Sequence, residues 1–558
     1  MLYAFSLIAV KFSFSDNIIT TSGEGEISQW DLKQYDTNTI QQIITTNGIT
    51  KINALAFLEF RYLVKLHLSK TITYFAGNAI RLCSRFRTLT IDPENTAYIL
   101  DAYGSLLTYD GTFLVYVNRT LNYYEIPSTV KIIGSHSFHQ MTRMSYLKIP
   151  HNVSRAEKGP FYTAKMKTVE FAEDSLCEAI TDNMFAYFVF VNIFIPKLVK
   201  LIESNAFYSA RSLQNITFAK DSALETIVAN AFSLTNILTI TLPANVNLSQ
   251  DAFNFSPNLA SVCITNDNTT LQIGCFNGCP NLQTISIEGA TKYIFSDGIL
   301  INALDKTCFF ILSNRKSVHF KSDMILSYQL VQICPNLTSV TFDDNSYLTS
   351  IDGVIYTRDL STVFAICGGL REVNISETVK IIGKMSFAGC QNLQKVTFNS
   401  DIELIDDNAF QNCNIPELHF KKVETVMENS FLSCTATVID FEEGPNAISK
   451  YSFREINARE FVFKNLKSIK TQAFYSSYVQ TITFDESCTV SNLENNAFMI
   501  CKSLENVTFC SSIRKIDFRC FIECNSLINI VFPSNSSLES IGVDAFKSCN
   551  LISFCHQI

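Results

Sequence analysis

The chain has 558 residues, with 44 basic and 52 acidic side chains and a net charge of -8 at neutral pH. The basic residues are scattered, so no basic stripe is available to neutralise phosphates, and nucleic acid is excluded as a partner. No apolar run approaches the roughly 18 residues that a membrane-spanning helix needs, so we expect no transmembrane segment. With 19 Gly, 12 Pro and no linker-like stretch, the composition favours one continuous body.

The N-terminus carries a short apolar core from Leu2 to Val10, followed by Ser-Phe-Ser. Residues 1–15 are interpreted as a signal peptide, and a first strand or cap segment is the alternative because a basic n-region is missing. A cleaved signal would place the protein at the cell surface or outside the cell. A retained N-terminus would favour the cytoplasm.

The rest of the chain is a tandem repeat. One position, usually Phe, recurs mostly every 21 to 25 residues, and we call each occurrence an anchor. The anchors are Phe57, Ile80, Phe138, Phe161, Phe185, Phe207, Phe232, Phe253, Phe276, Val331, Phe387, Phe410, Phe431, Phe453, Phe474, Phe498, Phe521 and Phe546. A period of this length is typical of a solenoid, in which each repeat forms one coil that stacks on the next.

Three larger gaps interrupt the repeat, after Ile80, Phe276 and Val331. Each gap contains two alternating runs around a polar turn, a pattern that predicts a β-hairpin. We expect these hairpins near residues 98–118, 293–315 and 347–367. Their turn residues Asp110, Asp305 and Asp359 are candidates for partner contacts, because loops on a scaffold often carry function.

Within a coil, Asn-Ala or Asp-Ala usually precedes the anchor, as at Asn205 and Asn408. A short polar side chain there predicts the cap of a short helical turn. The run that follows, such as VTF from Val396, predicts a short strand whose apolar residues point inward and whose Thr points outward.

Nine of the 18 Cys lie three residues after an anchor. They are Cys83, Cys279, Cys334, Cys390, Cys413, Cys434, Cys501, Cys524 and Cys549. We predict a structural column of small buried hydrophobes, because apolar residues such as Met141 and Ala164 occupy the same slot in other coils. Disulfides between neighbouring coils remain an alternative in an oxidising compartment.

Signatures of catalysis are absent from the sequence. It contains no Gly-rich phosphate loop, no nucleophile elbow and no metalloprotease histidine pair. The closest Cys pairs lack the two further ligands that zinc requires. We therefore expect no catalytic residue, no metal site, no cofactor and no enzyme activity.

Several stretches resemble a known repeat family. IIGKMSFAGCQNLQKVTF from Ile381, LIDDNAFQNC from Leu404 and SIGVDAFKSCNL from Ser540 are similar to the BspA-like leucine-rich repeat of surface antigens, as in mucosal protozoan parasites. GEISQWDLKQYDTNTIQQIIT from Gly25 is similar to the capping segment that precedes such arrays. The resemblance therefore divides the chain into an N-terminal cap at 16–48 and a repeat array at 49–558.

The resemblance implies both a fold and a function. The implied fold is a leucine-rich-repeat solenoid, a right-handed superhelix of short parallel strands and short helical turns in coils of roughly 23 residues. The implied function is that of a non-enzymatic surface antigen or adhesin that contacts a host extracellular-matrix or cell-surface protein. An intracellular scaffold for protein–protein interaction is the alternative.

The outward residues of the stacked strands form the candidate partner-binding surface. They are His67, Lys148, Glu170, Thr217, Thr241, Thr341, Thr397, His419, Asp440 and Thr508. Strand propensity alone is the alternative explanation for the Thr residues. At the C-terminal coil, apolar Phe546, Leu551 and Phe554 lack a polar cap, which predicts end-to-end self-association or fraying.

Overall fold

The computed structural model describes residues 10–32, 36–344 and 346–556, with side chains up to residue 552. The chain divides into two compact units, Met1–Phe295 and Ser296–Ile558. The boundary falls in the region of the second predicted hairpin. Within the described ranges, no helix is long and apolar enough to cross a membrane.

Each coil of the first unit has a long strand, a short strand and a turn that carries the anchor. The long strands are Gln42–Ile44, Lys65–Leu68, Thr88–Ile91, Tyr146–Ile149, Thr168–Phe171, Asn192–Ile195, Asn215–Phe218, Thr239–Leu242, Ser261–Ile264 and Thr284–Ile287. The short strands are Gly25–Ile27, Ile49–Ile52, Tyr74–Phe75, Ile132–Ile133, Arg155–Ala156, Ala179–Ile180, Leu201–Ile202, Thr226–Ile227, Asn247–Leu248 and Thr270–Leu271. Strand Tyr293–Ser296 follows the last coil of the unit.

Neighbouring coils pair in parallel and in register. Thr239–Leu242 pairs residue for residue with Ser261–Ile264, so that Thr241 lies opposite Cys263. Within Thr239–Leu242, the first and third side chains are exposed and the second and fourth are buried. Period-two burial of β-branched and aliphatic residues is what a half-buried strand requires. The predicted solenoid of stacked strands is therefore confirmed.

An antiparallel hairpin precedes the first coil. Lys11–Ser15 pairs with Ile18–Ser22, which pairs in parallel with Gln42–Ile44. A short 3-10 helix, Thr37–Thr39, begins after Asp36, whose carboxylate accepts a hydrogen bond from the Asn38 amide. Residues 1–9 of the expected signal peptide lie outside the described residues, so that interpretation stays a prediction.

The first insertion is a three-stranded antiparallel meander in the first unit. Its strands are Tyr98–Leu100, Leu106–Thr108 and Phe113–Tyr116. The last of them pairs in parallel with the short strand Ile132–Ile133. The insertion therefore extends the sheet of short strands.

The second unit repeats the same plan. Its long strands are Ser317–Phe320, Ser339–Phe342, Glu372–Ile375, Lys395–Ile405, Glu417–Val426, Val438–Glu443, Glu460–Phe463, Thr481–Phe484, Asn506–Thr508, Asn529–Phe532 and Ser553–His556. Its short strands are Ile381–Ile382, Ala447–Ile448, Ser468–Ile469, Asn492–Leu493, Lys515–Ile516 and Ser540–Ile541. In Lys395–Ile405 and Glu417–Val426, long and short strands run together as one.

Two insertions belong to the second unit. Ile299–Asn302 and Cys308–Ile311 form an antiparallel pair. Leu348–Ile351, Val354–Thr357 and Thr362–Ile366 form a meander, and its last strand pairs in parallel with Ile381–Ile382.

The anchor turns differ from the predicted helical turns. Among the described residues, the one α-helix is Tyr328–Gln332, in the coil whose anchor is Val331. Elsewhere the turn is bounded by left-handed residues, such as Asn408 at φ 57° and Asn412 at φ 53°. A left-handed residue cannot propagate a right-handed helix, and Asn tolerates that conformation better than most residues. The recurring Asn and Asp therefore serve the backbone conformation and do not cap a helix.

The anchor rings stack along the interior of each unit. In the second unit, Phe410 is fully buried, and its ring centroid lies 4.7 Å from that of Phe387 and 4.8 Å from that of Phe431. The Phe410 amide donates to the Ser430 carbonyl at 2.7 Å, in the next coil. The core is thus a continuous column held in register by a backbone ladder.

Candidate protein-binding face and cysteine column

The candidate surface is formed by the third residues of the long strands, which we call the strand face. The structure places every predicted member at such a third position, between two buried neighbours or just after one. Lys148, Glu170, Thr217, Thr241, Thr341 and Asp440 are exposed. His67, Thr397, His419 and Thr508 are partly exposed.

In the first unit, the strand face combines charged, hydroxyl and aromatic groups. Lys148 lies opposite Glu170 in register, and the Glu170 carboxylate accepts a hydrogen bond from the Tyr146 hydroxyl at 2.9 Å. Phe194, on the next long strand, is 46% exposed and lies opposite Thr217. A large aromatic side chain half exposed on a polar sheet is the kind of group that anchors a protein interface.

A groove of about 710 Å³ lies on the same part of the first unit. Thr217 and Thr241 line it, together with Lys220, Asp221 and Pro243. The groove gives a partner a concave surface beside the exposed Phe194 ring.

In the second unit, three predicted residues lie side by side. Thr397, His419 and Asp440 occupy facing positions on consecutive strands. The Glu417 carboxylate lies 3.2 Å from Lys395 Nζ, and hydrogen bonds from Lys395 first and His419 second lower the pKa of Glu417. This part of the face therefore carries charges of both signs.

Sequence reasoning missed several members of the strand face, among them Phe194 and His319. Phe194 occupies the third position of NIFI, Asn192–Ile195, where many other coils carry Thr or a charged residue and the coil of Glu460–Phe463 carries the exposed Val462. His319 lies opposite Thr341, and its Nδ1 is 2.9 Å from the Thr341 hydroxyl oxygen. Both residues could have been found from the alternation of polar and apolar residues in their strands, which continues in coils that lack a VTF-like run.

The predicted hairpin aspartates are occupied within their own turns. The Asp359 carboxylate accepts hydrogen bonds from the Thr357 hydroxyl at 2.7 Å and from the Ser361 amide at 3.1 Å. These contacts, the Thr357 hydroxyl first, lower the pKa of Asp359. Asp110 has the same arrangement with Thr108 and Thr112.

The third predicted aspartate follows a related pattern. The Asp305 carboxylate accepts from the Thr307 amide at 2.9 Å. All three side chains therefore shape their turns, and their role in partner contacts stays a prediction.

The nine cysteines of the predicted column line the anchor turns from inside. All nine are buried except Cys549, which is partly exposed. Several of their thiols donate to the anchor carbonyl of the preceding coil, as Cys501 Sγ does to Phe474 O at 3.0 Å. Cys524 does the same to Phe498 O at 3.1 Å. Such a thiol adds a hydrogen bond between coils at the anchor carbonyl, which at Phe474 also accepts from the Ser477 amide at 3.1 Å.

Other side chains replace Cys in this contact. Ser256 occupies the same slot three residues after Phe253, and its hydroxyl donates to Phe232 O at 2.8 Å. Where the slot holds Met141 or Ala164, no such donor is available. The column is therefore partly a packing position and partly a hydrogen-bonding position.

Burial makes several thiols of the column poor nucleophiles. It raises the pKa of Cys83, Cys279, Cys334 and Cys390 to about 12 in each case. The thiolate is the reactive form, so these side chains stay protonated and inert near neutral pH. Within the part of the chain that the structure describes, no three His, Cys, Asp or Glu side chains are placed to hold a metal ion.

Comparison with known families decides the class of solenoid. The model of the BspA type leucine rich repeat region matches five stretches that together cover well over half of the chain. The matched residues are 30–103, 112–188, 178–302, 360–465 and 446–557. The chain belongs to the BspA-type leucine-rich-repeat family. Proteins of this family are generally non-enzymatic and bind other proteins.

Solved structures show distant likenesses to this BspA-type chain. The pneumococcal vaccine antigen PcpA is 13% identical, with 96% of each chain covered and a TM-score of 0.27. A leucine-rich repeat protein from Eubacterium ventriosum is 11% identical over 98% of this chain and 95% of that chain, with a TM-score of 0.26. A leucine rich cell surface protein from Faecalibacterium prausnitzii is 15% identical over 98% and 93%, with a TM-score of 0.18. Identities and scores this low carry no functional argument.

No curated protein sequence matches the chain.

Proposed function

We propose that this protein is a cell-surface antigen or adhesin that binds a host extracellular-matrix or cell-surface protein through the strand face of its first unit. The observation that carries the proposal is Phe194, 46% exposed among polar neighbours. Burying its exposed ring area against a partner would contribute roughly 1 to 2 kcal/mol. The groove at Thr217 and Thr241 supplies the hydroxyl groups that would set the orientation of the partner.

A binding assay tests the face directly. Purified protein is incubated with immobilised fibronectin, laminin and collagen and with fixed host epithelial cells, and Phe194→Ala is compared with Phe255→Ala. Phe255 is 60% exposed in an anchor turn of the same unit, away from the strand face. Binding that is weakened at least tenfold by Phe194→Ala and kept by Phe255→Ala supports the proposal. Equal binding by both variants would exclude this face.

Location is tested on intact cells of the source organism. A membrane-impermeant amine reagent should label the protein, because 29 of its 44 basic side chains are lysines and many of them, such as Lys51 and Lys131, are exposed. Failure to label an abundant protein would instead favour the second candidate, an intracellular scaffold of the same fold. The state of the cysteines favours that candidate. Every cysteine whose side chain is described is a free thiol, and reducing compartments keep thiols in that state.

Self-association is the second part of the proposal. In the last coils, Val543 is 72% exposed and Ile552 is 83% exposed, while Phe546 and Leu551 are partly buried against the core. The Phe554 side chain lies outside the described residues. A second copy would cover Val543 and Ile552. Sedimentation velocity should show concentration-dependent association that Val543→Glu removes, and a monomer at all concentrations would refute it.

A further inference from the structure

A half-open cavity of about 410 Å³ lies in the first unit beside the first insertion. Its walls come from the short strand Tyr74–Phe75, from the meander and from the turn after Ile132–Ile133. No residue that lines this cavity is a member of the strand face proposed above as the protein-binding site, so the inference goes beyond that function.

The cavity exists because two sheets of short strands are not joined there by backbone pairing. Tyr74–Phe75 is the end strand of its sheet, and the meander belongs to another sheet. The Tyr98 hydroxyl spans the seam, since it accepts from the Phe75 amide at 3.1 Å and donates to Thr73 O at 3.2 Å. Gly77 lets the chains approach, because a Cβ there would lie 2.3 Å from Ser135 O.

One side of the cavity is aromatic and the other is polar. Tyr74, which is 48% exposed, Tyr98 and Phe113 supply rings. Asn78 and Glu157 supply an amide and a carboxylate.

The polar groups keep unused hydrogen-bonding capacity. One Glu157 oxygen accepts from the Ser135 amide at 2.9 Å, which leaves the other available. Among the residues that the structure describes, the Asn78 side-chain amide has no hydrogen-bond partner. A ligand rich in hydroxyl groups would satisfy both, because hydroxyls donate to a carboxylate and both donate to and accept from an amide.

Charge argues against ionic ligands. The Glu157 carboxylate repels phosphate or carboxylate groups. The lining residue His136 has a pKa lowered by burial first and then by Arg81 and Lys158, so a neutral imidazole lies in a positive field that disfavours an ammonium ligand.

We propose that this cavity binds one sugar unit of a neutral glycan, with its C–H face against the aromatic rings and its hydroxyls on Glu157 and Asn78. The volume falls in the range of roughly 300 to 1,000 Å³ that is usual for small-ligand sites. A sugar presents both surfaces at once, an apolar C–H face and a rim of hydroxyl groups, and the cavity offers a matching surface to each.

Saturation-transfer NMR on the full chain tests the proposal. The probes are the methyl glycosides of galactose, glucose, mannose, N-acetylglucosamine and N-acetylgalactosamine, with tetramethylammonium as the cationic probe. The variants are Tyr74→Ala and Glu157→Gln, and the control is Tyr109→Ala. Tyr109 is 62% exposed on the same meander but does not line the cavity.

We expect saturation transfer to at least one glycoside, lost at least tenfold in Tyr74→Ala and Glu157→Gln and kept in Tyr109→Ala. Glu157→Gln keeps an acceptor for the Ser135 amide, so it separates loss of the ligand from loss of the fold. Transfer to no glycoside, transfer that both variants retain, or binding of tetramethylammonium alone would each overturn the proposal.

Discussion

Replacement of the anchor Phe410 by Ala tests whether stability is local to neighbouring coils. The Phe410 side chain is fully buried. Its ring stacks on Phe387 and Phe431 and meets Phe398 and Phe420 edge-on, with centroids 6.2 and 6.0 Å away. The loss combines removed apolar area, a residual cavity and broken ring pairs.

The expected magnitude follows from buried Phe in other cores. Phe→Ala in a packed core costs about 3–5 kcal/mol, and the two stacked contacts place Phe410 in the upper half of that range. At about 1.4 kcal/mol per tenfold, a loss of about 4 kcal/mol lowers local amide protection about a thousandfold. Because a coil contacts mainly its neighbours, the loss should centre on residues 387–453.

Native-state hydrogen exchange measures this coil by coil. Protection should fall in the coils of Phe387, Phe410 and Phe431 and stay unchanged in the coil of Phe521. The control is Tyr478→Ala in the same unit, where the ring is 56% exposed and little should change. An equal loss of protection across the whole second unit would refute the reasoning, because it would show a single cooperative core.

Three further predictions follow from the described contacts. Iodoacetamide should modify the partly exposed Cys263 and Cys549 well before Cys279, and peptide mapping with equal rates at all three would contradict the burial of the column. Asn408→Ala should destabilise the second unit by about 1 kcal/mol, since Ala at φ 57° is strained, whereas Asn408→Gly should be nearly neutral in thermal unfolding. Because the pKa of Asp359 is lowered in the folded protein, its contribution to the stability of the meander is present above the unfolded pKa of about 3.9. That contribution is lost as the pH falls through the folded pKa. Asp359→Asn should therefore weaken the meander at pH 7 but not at the lowest pH, as judged by hydrogen exchange of the Ser361 and Thr362 amides.

The stacking of coils could be predicted because its signal repeats. Each strand, such as Thr239–Leu242, alternates polar and apolar residues over four positions, which is too short to be decisive alone. Repetition every 21 to 25 residues from Phe387 to Phe546 makes the same weak signal recur in each coil. Only a stacked structure places those positions on one face and their neighbours in one core.

The anchor turn could not be predicted in the same way. Asn is favoured both as a helix cap and in the left-handed conformation, and both models place Phe410 and Cys413 on the same side of a turn. Periodicity therefore fits either model. The two models differ in a second left-handed residue, which is Asn412 at φ 53° in this coil. Ser433 and Glu455 occupy the equivalent position in the next two coils, and neither residue type indicates a left-handed conformation.

The cysteine column could also be predicted only in part. The burial of its side chains could be predicted from the apolar residues that replace Cys in other coils. Its hydrogen bond could not, because the thiol of Cys501 reaches the Phe474 carbonyl across the coil spacing, and that reach depends on the offset between coils. Ser256 and Ser477, in the same column, were the available hint, since a buried hydroxyl requires a partner.

The cavity beside the first insertion could not be predicted from the sequence. Its lining residues run from Ala54 to Glu157 and share no motif or spacing. Tyr74 and Glu157 face one space only because the meander ends in parallel pairing with Ile132–Ile133, a partner choice that the hairpin pattern leaves open. The last strand of the insertion joins the short-strand sheet and leaves a seam beside Tyr74–Phe75. The seam is lined by rings and by a carboxylate with one oxygen still available. It is a better candidate for ligand chemistry than the turn aspartates, whose carboxylates accept hydrogen bonds within their own hairpins.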